Sequence, residues 1–179
     1  MSLNDKHPRP GDPDKCRGDI PKHPRPVELE RIDYTNKELV RSTLEKYETV
    51  IADQEIENAV VVCADGAVIW CFGTKDHVYP DADLGERLKG ASATHNHPPS
   101  SGHEYSFGNE DISTFMEYDM AYLRGIDEKY VYELSRDSDV RDEQPSIFTA
   151  MSHPGEMTRH SKVIEEAKSR HIGYTRRKR

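Results

Sequence analysis

The chain has 179 residues, of which 34% are hydrophobic and 32% are charged, and its formal net charge is −8. This length predicts a single domain, and the longest apolar runs, Ala59–Ala64 and Ala67–Phe72, are far shorter than the about 20 residues that cross a bilayer. The chain opens without an apolar leader, its three cysteines lack a CxxC spacing and its charge is acidic, so we expect a cytoplasmic protein without disulfides, with no membrane contact and with nucleic acid disfavoured as a partner.

The first 26 residues differ in composition from the rest of the chain. They contain only four apolar residues, are rich in proline and carry the pentapeptide Lys-His-Pro-Arg-Pro twice, at positions 6–10 and 22–26. Proline removes backbone donors and fixes φ, so residues 1–26 are predicted to form an extended arm, with a docking role for the repeat as the alternative. Residues 174–179 are predicted to be a solvated basic tail. The predicted domain is therefore 27–173, with a formal charge of −14.

Hydrophobic periodicity and turn residues predict a mixed order of helices and strands within this domain. The capping-box spacing of Thr35 and Glu38 indicates a helix start, and Asp65-Gly66 is a dipeptide typical of hairpin turns. In chain order, the prediction is a helix over 36–53, strands over 58–63, 67–72 and 77–79, a loop or short helix over 80–89, a strand over 91–97, a loop over 98–108, a helix over 109–118, strands over 120–123 and 129–134, an irregular stretch over 137–155 and a helix over 156–170. This order predicts an α/β (α+β) sandwich.

Several residues outside the candidate site receive structural interpretations. Cys63 and Cys71 are predicted to be small core residues. Tyr130 and Tyr132 alternate in a strand, which predicts a shared, packed sheet face, with a substrate groove as the alternative. Nothing in the spacing around His160 supplies a nucleophile with its base, so this histidine is predicted to lie at the surface.

The most informative run is Thr94-His95-Asn96-His97-Pro98. Alternate side chains of a strand point to the same side, so His95 and His97 can reach one metal ion, and Asp111 in the first turn of the next helix can supply a third ligand. Two imidazoles and one carboxylate with an open position form the ligand set of a catalytic zinc site. The sequence therefore predicts Zn²⁺ as a cofactor of these three residues.

A hydrolytic zinc site also needs a general base that is not itself a ligand. Glu57 opens an apolar strand at the start of the hairpin, and Glu55 is the near alternative. Burial and a cationic metal shift the pKa of such a carboxyl in opposite directions, which is the balance that a proton shuttle requires.

These residues resemble a known family. Glu57, the hairpin at Gly66, His95-Asn96-His97-Pro98 and Asp111 are similar to the Glu, His-x-His-Pro and Ser-x-x-Asp pattern of JAB/MPN (JAMM-type) zinc metalloproteases, in particular to RadC-like and phage- or toxin-associated bacterial branches. The resemblance covers about residues 55–135. It implies a cytidine-deaminase-like sandwich with a mixed β-sheet flanked by helices. It also implies zinc on His95, His97 and Asp111, with Glu57 activating the water that attacks a peptide or isopeptide carbonyl.

The chain departs from this pattern at the serine that stabilises the oxyanion. That serine falls on Gly108, whereas Ser106 lies two residues earlier in a loop longer than the family's. The longer loop is expected to let Ser106 take its place. Without such a donor, about 3 kcal/mol of transition-state stabilisation would be missing, and activity would be low or absent. His103, in the same loop, is an alternative ligand, although a solvated loop histidine is the commoner case.

Two functions from different classes follow from these residues. The first is a zinc metallopeptidase or isopeptidase that acts on a protein or peptide, such as a ubiquitin-like, phage or toxin component, and that binds it along an edge strand formed by the hairpin or by the strand leading to His97. The second is a catalytically weak scaffold or binding module in a protein assembly, which Gly108 favours. A nucleotide deaminase is excluded because the chain lacks Pro-Cys-x-x-Cys.

Overall fold

The structure, a computed structural model, describes residues 24–99, 106–136, 154–169 and 171–179. The strands are β1 (Val27–Arg31), β2 (Asn58–Val62), β3 (Ala67–Phe72), β4 (Ser92–Asn96), β5 (Tyr122–Ile126), β6 (Tyr130–Ser135) and β7 (Gly173–Lys178). The helices are α1 (Lys37–Ile51), α2 (Pro80–Leu84), α3 (Asn109–Glu117) and α4 (Pro154–Ser169), and a 3₁₀ turn covers Gly85–Leu88.

The seven strands form one mixed sheet in the order β1-β3-β2-β4-β5-β6-β7. Only β4 and β5 run parallel, and the other neighbouring strands described are antiparallel. Apolar residues of α1 pack on one sheet face, and those of α3 and α4 pack on the other. The predicted α/β architecture, a mixed sheet flanked by helices, is therefore confirmed.

Helix α1 confirms the predicted helix but begins at a different cap. Asn36 is the N-cap, and its Oδ1 accepts a hydrogen bond of 3.0 Å from the Leu39 amide. Thr35, predicted to start a capping box, instead donates its hydroxyl to Asp33. The prediction was wrong by one residue because both side chains are good caps and only the turn geometry selects between them.

The hairpin of β2 and β3 is confirmed, and Gly66 adopts a φ of +85° in its turn. Cys63 and Cys71 are buried as predicted. The predicted strand at 77–79 is wrong, because this segment turns back on itself: the Thr74 amide donates to the carbonyl of His77 at 2.7 Å. The loop or short helix predicted over 80–89 is α2 with the 3₁₀ turn.

Both edges of the sheet differ from the sequence prediction. Strand β1 was not predicted, and its exposed residues explain the weak signal. The predicted basic tail is wrong: residues 173–178 form β7, where Arg176 is buried and lies 4.2 Å above the ring of Tyr130. The prediction that the hairpin or β4 forms an edge of the sheet is wrong, because β2, β3 and β4 each have a neighbouring strand on both sides. Gly125 and Ile126, which lie between the strands predicted over 120–123 and 129–134, belong to β5.

The α1 face of the sheet holds a buried ion pair. Arg124 of β5 donates two hydrogen bonds to the carboxylate of Glu48 in α1, one of them from Nη2 at 2.9 Å. The Thr94 hydroxyl of β4 donates to the same carboxylate at 2.9 Å. Both charged side chains are almost completely buried. This group joins α1 to the two parallel strands.

The predicted arm (1–26), the loop over 98–108 and the stretch over 137–155 lie largely outside the described residues. The remaining predicted elements match α3, α4, β4 and β6 within a few residues. Among the residues that the structure describes, no helix is both long and apolar enough to cross a membrane.

Candidate metal centre

The structure brings together the three predicted metal ligands. His95 lies in β4 and His97 directly follows this strand, while Asp111 lies in the first turn of α3. The Nε2 atoms of His95 and His97 are 2.7 Å apart. Oδ1 of Asp111 is 3.1 Å from Nε2 of His95, and Oδ2 is 3.7 Å from Nε2 of His97. Both imidazoles are buried, and the aspartate side chain is 24% exposed.

These separations suit a metal ion. A tetrahedral zinc with ligand bonds of about 2.0–2.1 Å separates its ligand atoms by about 3.3 Å, and the three measured distances lie on both sides of this value. The potential ligand atoms all lie within 4.8 Å of one another. The described residues therefore contain a His-His-Asp group that could bind a metal ion.

The electrostatics of this group favour a positive charge between its members. Burial raises the pKa of Asp111, but the two imidazoles and a hydrogen bond from Gly108 outweigh it and hold that pKa well below its usual value. Burial lowers the pKa of His95, yet Asp111 and Glu57 outweigh this effect and raise it. An ionised carboxylate facing two imidazoles is the arrangement into which a cation fits.

Tyr132 orients one of the two imidazoles. Its hydroxyl lies 2.5 Å from Nδ1 of His97, so a proton on Nδ1 would leave the Nε2 lone pair free for a metal. The ring reaches His97 by crossing β5 at Gly125, where a Cβ would lie 2.2 Å from Cε2 of Tyr132. The packed sheet face predicted for Tyr130 and Tyr132 is confirmed, because both are buried in the core.

Sequence reasoning missed the hydrogen bond between Tyr132 and His97. A glycine inside a strand marks a close approach of another group, and Gly125 is such a signal. The predicted strand ended at residue 123, so Gly125 was not placed inside a strand.

Gly108 holds the aspartate through its backbone. It is the N-cap of α3, and its amide donates to Oδ2 of Asp111 at 2.7 Å. The residue at the family's serine position thus contributes to the site without a side chain. Its φ of −79° is an ordinary value for any residue.

Glu57 lies on the metal-ligand face of the sheet. Ala59 of β2 pairs with His95 of β4, and continuing this antiparallel register by two residues places Glu57 opposite His97. Glu57 is 5% exposed, and burial raises its pKa to about 7 although His95 opposes this shift. Glu55, the alternative base, is exposed.

Ser106 and His160 are both buried and both hydrogen-bonded to the hydroxyl of Tyr174. The Tyr174 hydroxyl lies 2.9 Å from Oγ of Ser106 and 3.0 Å from Nδ1 of His160. The surface position predicted for His160 is wrong: the side chain is buried, and burial lowers its pKa to about 4. Phe107, next to Ser106, stands between His95 and Tyr132, with ring centroids 6.1 and 4.9 Å away. His103 lies outside the described residues.

Comparison of the chain with protein-family models, with curated proteins and with solved structures finds no significant match. The interpretation of the site therefore rests on its own residues and geometry.

Proposed function

We propose that the protein is a zinc-dependent metallopeptidase or isopeptidase of the JAB/MPN type. The observation that carries this proposal is the convergence of His95, His97 and Asp111 on one point, with the buried carboxyl of Glu57 on the same sheet face. When bound there, zinc would polarise a substrate carbonyl and make a water more acidic. The likeness of the motif to that family supports the proposal, which includes the cytidine-deaminase-like fold as a further part to be tested.

Glu57 would move the proton in this reaction. Burial raises the pKa of this carboxyl to about 7 without a metal, and a bound cation would lower it again. The ionised carboxylate can then take a proton from the attacking water and return it to the leaving amine. Tyr132 would keep His97 in one orientation through Nδ1, and the Gly108 amide would do the same for Asp111. The bond that breaks is the C–N bond of a peptide or isopeptide, with a carboxylic acid and an amine as products.

The substrate class follows from the charge of the domain. Because β7 belongs to the folded domain, the relevant formal charge is −10 on residues 27–179, which favours a basic or neutral segment over nucleic acid. We propose a protein or peptide partner, such as a ubiquitin-like, phage or toxin component, and a cytoplasmic location.

Metal analysis combined with variants tests this proposal. We expect about one zinc per chain in the purified protein and its loss in His95→Ala. Glu57→Gln should keep the zinc and cleave peptide and isopeptide substrates at least about 100-fold more slowly. Glu55→Gln, which changes an exposed glutamate two residues away, is the matched control and should retain full activity. A protein without zinc at these ligands, shown by anomalous scattering at the zinc edge, would contradict the proposal.

The alternative is a metal-binding scaffold without catalysis. It is favoured by Gly108, which offers no hydroxyl, and by Ser106, whose hydroxyl is bonded to Tyr174. In this case the wild type and Glu57→Gln would both bind zinc and would be equally inert on the whole substrate panel.

A further inference from the structure

Asn96 lies between the two histidines in sequence, but its side chain lies on the opposite face of the strand. Its side chain is fully buried. Oδ1 accepts a hydrogen bond of 2.7 Å from the Asn58 amide, while Nδ2 donates to the carbonyls of Ile56 at 3.0 Å and Gln54 at 3.4 Å. Two of these bonds end on the residues that flank Glu57.

The peptide group of Glu57 itself is fixed from the other side. Its amide donates to the Thr74 carbonyl at 2.7 Å, and its carbonyl accepts from the Gly73 amide at 2.9 Å. A Cβ on Gly73 would lie 2.7 Å from the Glu57 carbonyl oxygen and 2.2 Å from that of His77, so only glycine permits this approach. The segment before β2 is thus held between β4 and the end of β3.

Asn58 links this segment to a spectroscopic probe. The indole Nε1 of Trp70, the only tryptophan in the chain, donates to Oδ1 of Asn58 at 2.9 Å. Nδ2 of Asn58 donates to the Ile56 carbonyl at 3.0 Å, the same oxygen that Asn96 contacts. A change at Asn96 should therefore reach Trp70 through Asn58.

We propose that Asn96 is a positioning residue that sets the place of the Glu57 carboxyl relative to the two histidines, by binding the peptide groups on both sides of Glu57 to the strand that carries His95. The inference rests on the proposed function, since it assigns a task to the proposed base. An amide side chain suits this buried position because its one acceptor and two donor hydrogens match one backbone amide and two backbone carbonyls. Displacement of a catalytic group by about 1 Å can lower a rate about 100-fold.

A double-mutant cycle measures whether Asn96 acts through Glu57. Asn96→Ala should lower kcat at least about tenfold, with KM and zinc affinity within about threefold of the wild type. Combined with Glu57→Gln it should lower kcat no further than Glu57→Gln alone, because the base is already absent. Asn96→Ser, which is neutral and too short to reach all three backbone partners, serves if the alanine variant fails to fold. Additive losses in the double variant would overturn the inference.

Thr94→Val is the matched control for this cycle. Thr94 is also buried on the α1 face of β4 and also hydrogen-bonded, but its partner is Glu48. It should lower stability while leaving kcat unchanged. If Thr94→Val lowers kcat as much as Asn96→Ala, the effect belongs to the strand in general and the inference fails.

An NMR measurement on the metal-free protein separates this inference from the proposed function. With ¹³C-labelled glutamate carboxyls, the Glu57 resonance is identified by its loss in Glu57→Gln. Asn96→Ala should shift this resonance and the Trp70 indole resonance, whereas Thr94→Val should shift neither. An unmoved Glu57 resonance in Asn96→Ala would overturn the inference even in an active enzyme. A shifted resonance in a protein inert on all substrates would support the positioning role and contradict the hydrolase.

Discussion

The ring of Tyr132 occupies the space that a side chain on Gly125 would need, since a Cβ built on Gly125 would lie 2.2 Å from Cε2 of Tyr132. Gly125 of β5 is paired with Tyr132 of β6. The tyrosine ring extends over Gly125, and its hydroxyl reaches Nδ1 of His97. The absence of one side chain in the middle of the sheet therefore permits the orientation of a candidate metal ligand.

We expect Tyr132→Phe to weaken zinc binding about 10- to 100-fold, because the partner of Nδ1 is lost. Gly125→Ala should also weaken it and, in addition, lower the free energy of unfolding by about 1–3 kcal/mol through overpacking. Tyr130→Phe is the control, because it removes a tyrosine hydroxyl from the same face of β6 without removing the partner of His97 Nδ1. Zinc titrations and chemical unfolding provide the measurements; equal affinity in Tyr132→Phe and the wild type would refute the orienting role.

His160 should make the protein less stable in mild acid. Its pKa is about 4 in the folded protein against about 6.5 in an unfolded chain. Between these values the unfolded chain binds a proton that the folded protein does not, so the free energy of unfolding falls as the pH falls, by at most about 3 kcal/mol. The loss levels off below pH 4, where the folded protein also becomes protonated.

Urea unfolding from pH 7 to pH 4 tests the contribution of His160. The difference in stability between the wild type and His160→Gln isolates this histidine from carboxylates that titrate over the same range. His171→Gln, at an exposed histidine after α4, is the control and should follow the wild type. A His160→Gln variant with an unchanged pH slope would show that His160 is not the responsible group.

Ser106→Ala should lower the free energy of unfolding by about 1 kcal/mol, because it removes one partner of a buried hydrogen bond. Tyr174→Phe should lower it by more, about 2 kcal/mol, because the same hydroxyl also contacts Nδ1 of His160. The double variant should lose less than the sum of the two. Steady-state kinetics then test the oxyanion role predicted for Ser106. A fall in kcat of about 100-fold or more in Ser106→Ala alone would assign the hydroxyl to the reaction, and unchanged kinetics would leave it a packing role.

Arg124→Leu should be strongly destabilising, by about 3–5 kcal/mol, since it leaves the carboxylate of Glu48 buried without its cationic partner. The double variant Arg124→Leu/Glu48→Leu should recover part of this loss. Arg31→Leu breaks an exposed pair with Glu28 and should change stability by less than about 1 kcal/mol. Similar losses in the two arginine variants would contradict the distinction between buried and exposed pairs.

The local parts of the fold were predictable from the sequence. Helix α1 and the hairpin at Gly66 each follow from periodicity or turn chemistry within a short window. The convergence of His95, His97 and Asp111 was also predictable, because strand alternation and the first turn of a helix fix the relative directions of these side chains.

The parts that depend on distant residues were not predictable in this way. The local sequence of β7 predicts a charged tail. Its strand structure depends on pairing with β6 and on the contact of Arg176 with the ring of Tyr130. The local sequence around His160 predicts a surface residue, whereas in the fold His160 is hydrogen-bonded to Tyr174, which is distant in the chain. In each case the signal lies in a pairing between segments far apart in the chain, which no local pattern contains.

The position of β4 in the sheet determines how the metal group should respond to partial opening. Three strands lie on each side of β4, and local opening of a sheet begins at its outer strands. Separation of β1 or β7 would leave both neighbours of β4 in place and the histidines in register. The two histidine ligands should therefore stay in place through fluctuations at the margins of the sheet, whereas the third ligand, Asp111, depends on the packing of α3 against the sheet.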